Sequence, residues 1–374
     1  MTGWKTRLSK VRAELAKRRL DAGILNSWNS LYYLTGMRPI QARSGSFDPM
    51  PLLVSPDKKE PVFVPTEAFS KAVELEHKNV KDVRPCDGPE KWSKVADVLR
   101  EWGLSEGRIG IEAQYLSSTH MEMLRQKVPR AKFEDSTDIV EKLRMIKDPE
   151  ELAFMRKAAW ITDKVVETIA KDILRPGVTE LYVAGEIVRS CIEYGAEDAS
   201  FHPQVFSGRR GFLLNVSSSE KKLEKGELVM LDFGANVAGY RTDTTRCFVL
   251  GKALAKHKEA SNIALKITTN AIDSIRPGVK ASAIHRRALT DFRRFGYSGY
   301  CRHYTGHGLG LSTWEKPLLR EFDHTRLEQN MVIAVEQGLY FPDFGVRWEE
   351  NLIITKNGTQ NLFRFPTELV ELDF

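Results

Sequence analysis

Two stretches of this chain repeat one another, and the repeat restricts the fold more than any other feature. Residues 173–195 read ILRPGVTELYVAGEIVRSCIEYG and residues 274–296 read SIRPGVKASAIHRRALTDFRRFG. Arg-Pro-Gly-Val recurs at Arg175 and Arg276. Each copy follows a long helical pattern, opens a helix ended by glycine (Gly195, Gly296) and leads into β-rich sequence. Glycine turns alone recur by chance, but matched spacing at both ends makes duplication the better reading. The expected product is a pseudo-twofold α+β domain whose strands join in one curved sheet.

Carboxylates close the strands of this duplicated half. Leu228–Leu231 reads as a buried strand running into Asp232. Asn236–Gly239 supplies a turn, and Tyr240–Val249 reads as the returning strand, so a hairpin brings Asp243 back toward Asp232. Two buried like charges are costly unless a cation lies between them. Further along, His307 sits among the glycines of Thr305-Gly306-His307-Gly308, which allow close backbone approach. Glu336 ends an apolar strand, and Glu349 opens the next, returning strand. Asp232, Asp243, His307, Glu336 and Glu349 therefore make four carboxylates and one imidazole, with charge to balance two divalent cations. Oxygen and imidazole donors favour Mn, Fe, Co or Zn over soft metals. Two such ions ~3.5–4 Å apart activate a nucleophile and polarise a carbonyl.

At 374 residues the chain exceeds one ordinary core, and a second domain is expected before the repeat. Residues 1–146 alternate strand and helix: a helix over Trp4–Leu20, a short helix ended by Gly36, another over Pro89–Trp102, and strands near Ala22–Leu25, Met50–Val54, Pro61–Val64 and Arg108–Glu112. The pattern is α/β with a mixed or parallel sheet, without a GxGxxG or P-loop glycine pattern. Asp148, Pro149 and Glu151 start a helix expected to reach Leu174, opening a second domain over 147–374. The formal charge of +6 is spread and interleaved with acidic residues, which predicts a mildly basic surface and no nucleic-acid partner. No apolar run reaches membrane-span length, and the charged N-terminal helix lacks a signal peptide's apolar core. With four scattered cysteines read as reduced thiols, the expected location is cytoplasmic, without membrane association.

At these residues the chain resembles the pita-bread metallopeptidases, the family of methionine aminopeptidase, Xaa-Pro aminopeptidase, prolidase and creatinase. The Asp-x10-Asp spacing, TGHGLG, Glu336-x-Gly338 and Arg347-x-Glu349 carry the likeness, and residues 1–146, with NSLYYLTG, resemble the creatinase-type N-terminal domain. The resemblance implies an α/β N-terminal domain, a duplicated α+β pita-bread domain and a homodimer. It implies that Asp243 and Glu349 bridge two metal ions, that Asp232 chelates one, and that His307 and Glu336 bind the other. It also implies that Glu336 handles the proton of the attacking water and that His303 faces the substrate.

Two positions depart from the family. Asn215 and Trp314 stand where its peptidases carry histidines beside the scissile bond. Asparagine does not shuttle protons near neutral pH. His202, Asn215, Trp314 and Arg347 are the candidate substrate-binding residues, with Arg209 and Arg210 as further candidates for a substrate carboxylate. The expected activity is a metal-dependent hydrolase cleaving an Xaa-Pro-like C–N bond. The first alternative is a relative acting on a small zwitterionic metabolite, like dimethylsulfoniopropionate lyase, ectoine hydrolase or creatinase. The second is a metal-free binding module.

Overall fold

The computed structural model describes residues 3–37, 49–76, 79–214 and 216–373. It divides into two compact units, Met1–Arg144 and Met145–Phe374.

In the first unit, six strands form one mixed sheet in the order β4-β3-β2-β1-β5-β6. These are β1 (Ala22–Leu25), β2 (Leu52–Val54), β3 (Val62–Phe63), β4 (Asp82–Val83), β5 (Arg108–Ile111) and β6 (Lys132–Asp135). β1 runs parallel to β5 and antiparallel to β2. Helix Glu90–Glu101 buries Trp92, Val95, Ala96, Val98 and Leu99, the stripe expected of a helix lying on a sheet. Helix Trp28–Thr35 is capped by the Ser27 side chain and ends at Gly36 with φ +76°, so the glycine supplies the left-handed C-cap.

The second unit begins with helix Pro149–Thr168, fixed by a reciprocal Asp148–Glu151 capping box. The α-helix stops short of the expected Leu174. Residues Ile169–Ile173 widen into a π turn in which Leu174 N–H donates to the Ile169 carbonyl.

The repeat is visible in the backbone. Gly177 and Gly278 take φ +94° and +88°, and Gly195 and Gly296 take +91° and +81°. Gly177 N–H donates to the Leu223 carbonyl as Gly278 N–H does to that of Leu327. Each copy then runs into a helix, Glu180–Glu193 or Ala281–Arg294.

The strands do not join one sheet, contrary to expectation. The described residues of the second unit form three: β11-β10-β7, β18-β12-β9-β8 and β14-β13-β15-β16-β17. The members are β7 (Asp198–Ala199), β8 (Gln204–Ser207), β9 (Leu228–Phe233), β10 (Ala235–Val237), β11 (Tyr240–Arg241), β12 (Thr244–Leu250), β13 (Gly306–Gly308), β14 (Glu315–Leu318), β15 (Val332–Phe341), β16 (Phe344–Thr355), β17 (Gly358–Asn361) and β18 (Val370–Leu372). Where β12 meets β16, side chains replace the ladder. Thr244 Oγ1 and the Arg246 guanidinium donate to the Glu349 carbonyl at 3.1 and 2.8 Å. The two long hairpins, β9–β12 and β15–β16, are antiparallel. Val229, Leu231 and Phe233 pack with Ile161 and Val165. Leu228 and Met230 pack with Trp348, Ala260 and Ala264. Strand alternation puts Asp232 on the second of these faces.

Candidate active site

Asp243 lies between β11 and β12, and Asn351 of β16 clamps its backbone from both sides. Asp243 N–H donates to Asn351 Oδ1 at 2.9 Å, and Asn351 Nδ2 donates to the Asp243 carbonyl at 2.7 Å. β15 and β16 pair Glu336 directly with Glu349. β13 inserts His307 beside β15 through glycines that have no room for a side chain. A Cβ on Gly306 would lie 2.0 Å from the Ala334 carbonyl oxygen, and one on Gly308 2.3 Å from that of Lys316.

Asp243, His307 and Glu349 bring one donor atom each within 4.8 Å of one another, and all three are buried. His307 Nδ1 lies 3.0 Å from the Gly308 carbonyl oxygen, which only accepts, so Nδ1 carries the proton. In the neutral ring Nε2 then presents its lone pair, 3.7 Å from Asp243 Oδ2 and 3.8 Å from Glu336 Oε1. A lone pair facing carboxylates is repulsive without a cation between them. Asp243 Oδ1 and Glu349 Oε1 are buried and have no hydrogen-bond partner among the described residues. Burial, then repulsion from neighbouring carboxylates, pushes the Asp243 and Glu349 pKa values well above the ordinary range. Burial likewise lifts Asp232 to about 6, against the pull of Arg347. Glu336 moves the other way: burial alone would raise it, but the charges around it, Arg347 among them, hold it below the usual carboxylate range. Oxygen and imidazole donors with orphaned oxygens at their centre fit divalent metal ions.

Asp232 and Glu336 line the same cavity, of about 570 Å³, but stand outside the tight trio. The Asp232 carboxylate is engaged by the Arg347 guanidinium. Arg347, a candidate for binding substrate, spends its donors on the protein instead: on Asp232, on Thr245 Oγ1 at 2.8 Å and on the Tyr340 hydroxyl at 3.3 Å. Thr245 in turn donates to Glu349 Oε2 at 2.9 Å, which leaves Oε1 as the free oxygen. His303 lines the cavity with both ring nitrogens engaged. Nδ1 lies 2.7 Å from the Tyr304 carbonyl oxygen, and Nε2 2.8 Å from the Tyr340 hydroxyl. Burial lowers the His303 pKa, so the ring is neutral.

The other candidates separate. Trp314 lines the cavity and stacks on His307, ring centroids 4.7 Å apart. His202 is exposed and absent from the lining, whereas Phe201 and Gln204 are part of it. His202 precedes strand β8, so strand alternation does not orient it. Arg210 is paired with buried Glu180 at 2.7 Å. Asn215 lies outside the described residues. Thr245, Tyr340, Asn351 and Arg302 escaped the sequence reading. Thr245 stands two residues after Asp243 and Tyr340 four after Glu336, so period-two alternation held a signal for both. Arg302 lines the cavity with its guanidinium 4.4 Å over the Phe212 ring and one N–H on the Phe212 carbonyl.

The family model of metallopeptidase family M24 matches residues 153–356, and that of the creatinase/prolidase N-terminal domain matches residues 7–146. The chain belongs to metallopeptidase family M24. It is 30% identical to the Xaa-Pro dipeptidase of Pyrococcus horikoshii, covering 97% of this chain and 98% of that one. It is also 30% identical to the Xaa-Pro dipeptidase of Pyrococcus furiosus, covering 98% and 100%. The structure of an Xaa-Pro dipeptidase from Bacillus anthracis superposes with a TM-score of 0.89 at 29% identity, covering 99% of this chain and all of that one. This M24 chain is a metal-dependent hydrolase with a creatinase-type N-terminal domain and a pita-bread C-terminal domain.

Proposed function

We propose that this M24 member hydrolyses Xaa-Pro dipeptides, using two divalent metal ions (Mn, Co, Zn or Fe) held by Asp232, Asp243, His307, Glu336 and Glu349. The observation carrying the metal reading is the pair of orphaned oxygens, Asp243 Oδ1 and Glu349 Oε1, beside the His307 Nε2 lone pair. The substrate rests on the full-length likeness to Xaa-Pro dipeptidases. When bound, such ions supply a Lewis acid for the scissile carbonyl and lower the pKa of water. Asp243 and Glu349, whose free oxygens face the His307 lone pair, would hold both ions. Glu336, which lines the cavity beside them, would accept the proton of the attacking water. Tyr340 and Arg347 hold His303 and Asp232 in place. The cavity volume suits a dipeptide.

We place the domain boundary at 146/147 and read the protein as a cytoplasmic homodimer. The four free cysteines fit a reducing compartment; no described helix is long and apolar enough to cross a membrane. The dimer rests on family resemblance alone.

The rival is an M24 member acting on a small zwitterionic metabolite by lysis or amide hydrolysis. Trp314 favours it, since an indole stands on the cavity wall where peptidases of the family carry a histidine. The deciding experiment strips the metal, reloads Mn²⁺ and assays Xaa-Pro dipeptides, longer Xaa-Pro peptides and small zwitterions. Dipeptide cleavage is expected. A fully metal-loaded protein inert toward every peptide overturns the peptidase reading.

A further inference from the structure

Trp314 stacks face to face on His307, with ring planes 21° apart. More than half of Trp314 is exposed, at 56%, whereas His307 is 1% exposed. An indole this exposed contributes little to the core, so its face-to-face placement on the imidazole needs another account. The chain around it is fastened. β13 pairs His307 with Leu318 and Gly308 with Glu315, with a register shift between them. The intervening loop returns Trp314 beside the imidazole. Glu315, the next residue, accepts the Ser312 N–H at 2.8 Å and faces the Lys147 ammonium at 3.6 Å, both side chains nearly inaccessible. Gly310 lies against the same pair: a Cβ there would approach Glu315 Oε2 to 2.9 Å and Lys147 Cε to 3.1 Å. The buried ion pair thus anchors the loop, and the loop sets the indole.

We propose that Trp314 is a positioning residue for metal binding: its indole clamps the plane of His307 so that Nε2 points at Asp243 and Glu336. The Gly308 carbonyl fixes which nitrogen carries the proton, and the Thr313 backbone adds a second hydrogen bond, but contacts at the edge of the ring leave its face unsupported. The indole supports that face. Groups that orient a ligating imidazole from outside typically alter metal affinity by about 10–100-fold when removed. The proposal rests on His307 being a metal ligand.

The test uses the full-length, metal-stripped protein and Co²⁺ alone. Trp314→Ala is expected to bind Co²⁺ about tenfold or more weakly, while Trp314→Phe, which keeps a stacking ring, stays within about threefold of wild type. Co²⁺ should also quench part of the wild-type tryptophan emission, and that part should be absent in Trp314→Phe, because an indole on a ligating imidazole lies within quenching range. In the Co²⁺-loaded protein, the shifted Nδ1–H proton signal of His307 should broaden in Trp314→Ala and stay sharp in Trp314→Phe. Equal Co²⁺ affinity in wild type and Trp314→Ala, or identical quenching in wild type and Trp314→Phe, overturns the clamp alone. Failure of the wild type to bind Co²⁺ overturns the metal site and the clamp together. Should Trp314→Ala not fold, the quenching comparison with Trp314→Phe still decides.

Discussion

In the first copy of the repeat, β9 carries Asp232 and β12 begins just after Asp243; in the second, β15 carries Glu336 and β16 carries Glu349. Asp232 follows Leu223 by the same nine residues that separate Glu336 from Leu327, and both leucine carbonyls accept from the equivalent glycine N–H. Duplication therefore lays down the carboxylate frame. The rest of the chemistry is one-sided. His303, His307, Trp314, Tyr340 and Arg347 all come from the second copy. From the first come the two aspartates, Thr245 and wall residues such as Phe201 and Gln204. Each half brings two acids, but the imidazoles, and Arg347 that compensates Asp232, come from the second half.

The largest expected effect follows from a residue that joins the halves. Asp243 belongs to the first copy, yet its carboxylate closes a trio with His307 and Glu349 of the second. Asp243→Ala should bring bound metal from near two ions per chain to near none, and activity to background. Elemental analysis after Mn²⁺ reconstitution measures it. One full ion retained would show that the second half holds metal unaided.

The next effect concerns compensation. Arg347 reaches from β16 to Asp232 and stands 3.8 Å from Glu336. Removing one partner of a buried ion pair costs about 3–5 kcal/mol. Arg347→Met should cost that much in the metal-free protein and much less once metal is loaded, because the ions then compensate Asp232. Denaturation midpoints with and without Mn²⁺ give the two values. Equal losses in both states would mean that Arg347 acts through packing alone.

A smaller loss is expected at the clamp on Asp243. Asn351→Ala leaves the Asp243 N–H and carbonyl buried without partners, and an unsatisfied buried group costs about 1–3 kcal/mol. Asn351→Asp keeps the acceptor and should recover part of that. If the alanine variant is as stable as wild type, backbone or water replaces the amide and the halves are joined elsewhere.

What the sequence disclosed follows the same division. Features that depend on short spacing were legible: the glycine-ended helices and the hairpins that bring the carboxylates together, although Glu336 and Glu349 lie inside the long strands β15 and β16, not at strand ends as expected. Gly306 and Gly308 also announced a close approach, because only glycine fits under the carbonyls of Ala334 and Lys316. Features that depend on distant partners were not. That Arg347 would be consumed by Asp232, Thr245 and Tyr340 follows only once β12 lies beside β16. The single curved sheet was expected because duplicated hairpins tend to pair. Thr244, Arg246 and Asn351 fill that seam with side chains, a choice local sequence does not reveal. His202 resembled a site residue by type and neighbourhood, yet it lies ahead of its strand and points to solvent.

The smallest effect tests whether the one-sided chemistry was once more even. Asn215 belongs to the first copy, at a position where the resemblance to the family implies a histidine. General acid–base help from a placed histidine is worth about 10²–10⁴ in rate. Only part of it is expected back, because Trp314 stands at the second position where the resemblance implies a histidine. Asn215→His should therefore raise kcat on an Xaa-Pro dipeptide by about tenfold, near 1.4 kcal/mol in barrier. KM should change less, since the gain lies in the transition state. A cavity rebuilt for another small molecule predicts the opposite: little peptidase gain, and damage to the native reaction. Steady-state kinetics on one dipeptide, before and after the substitution, separates the two. Ordinary peptidase rates in the unmodified protein would show that the metal frame and the second half suffice, and that the histidine of the first half is dispensable.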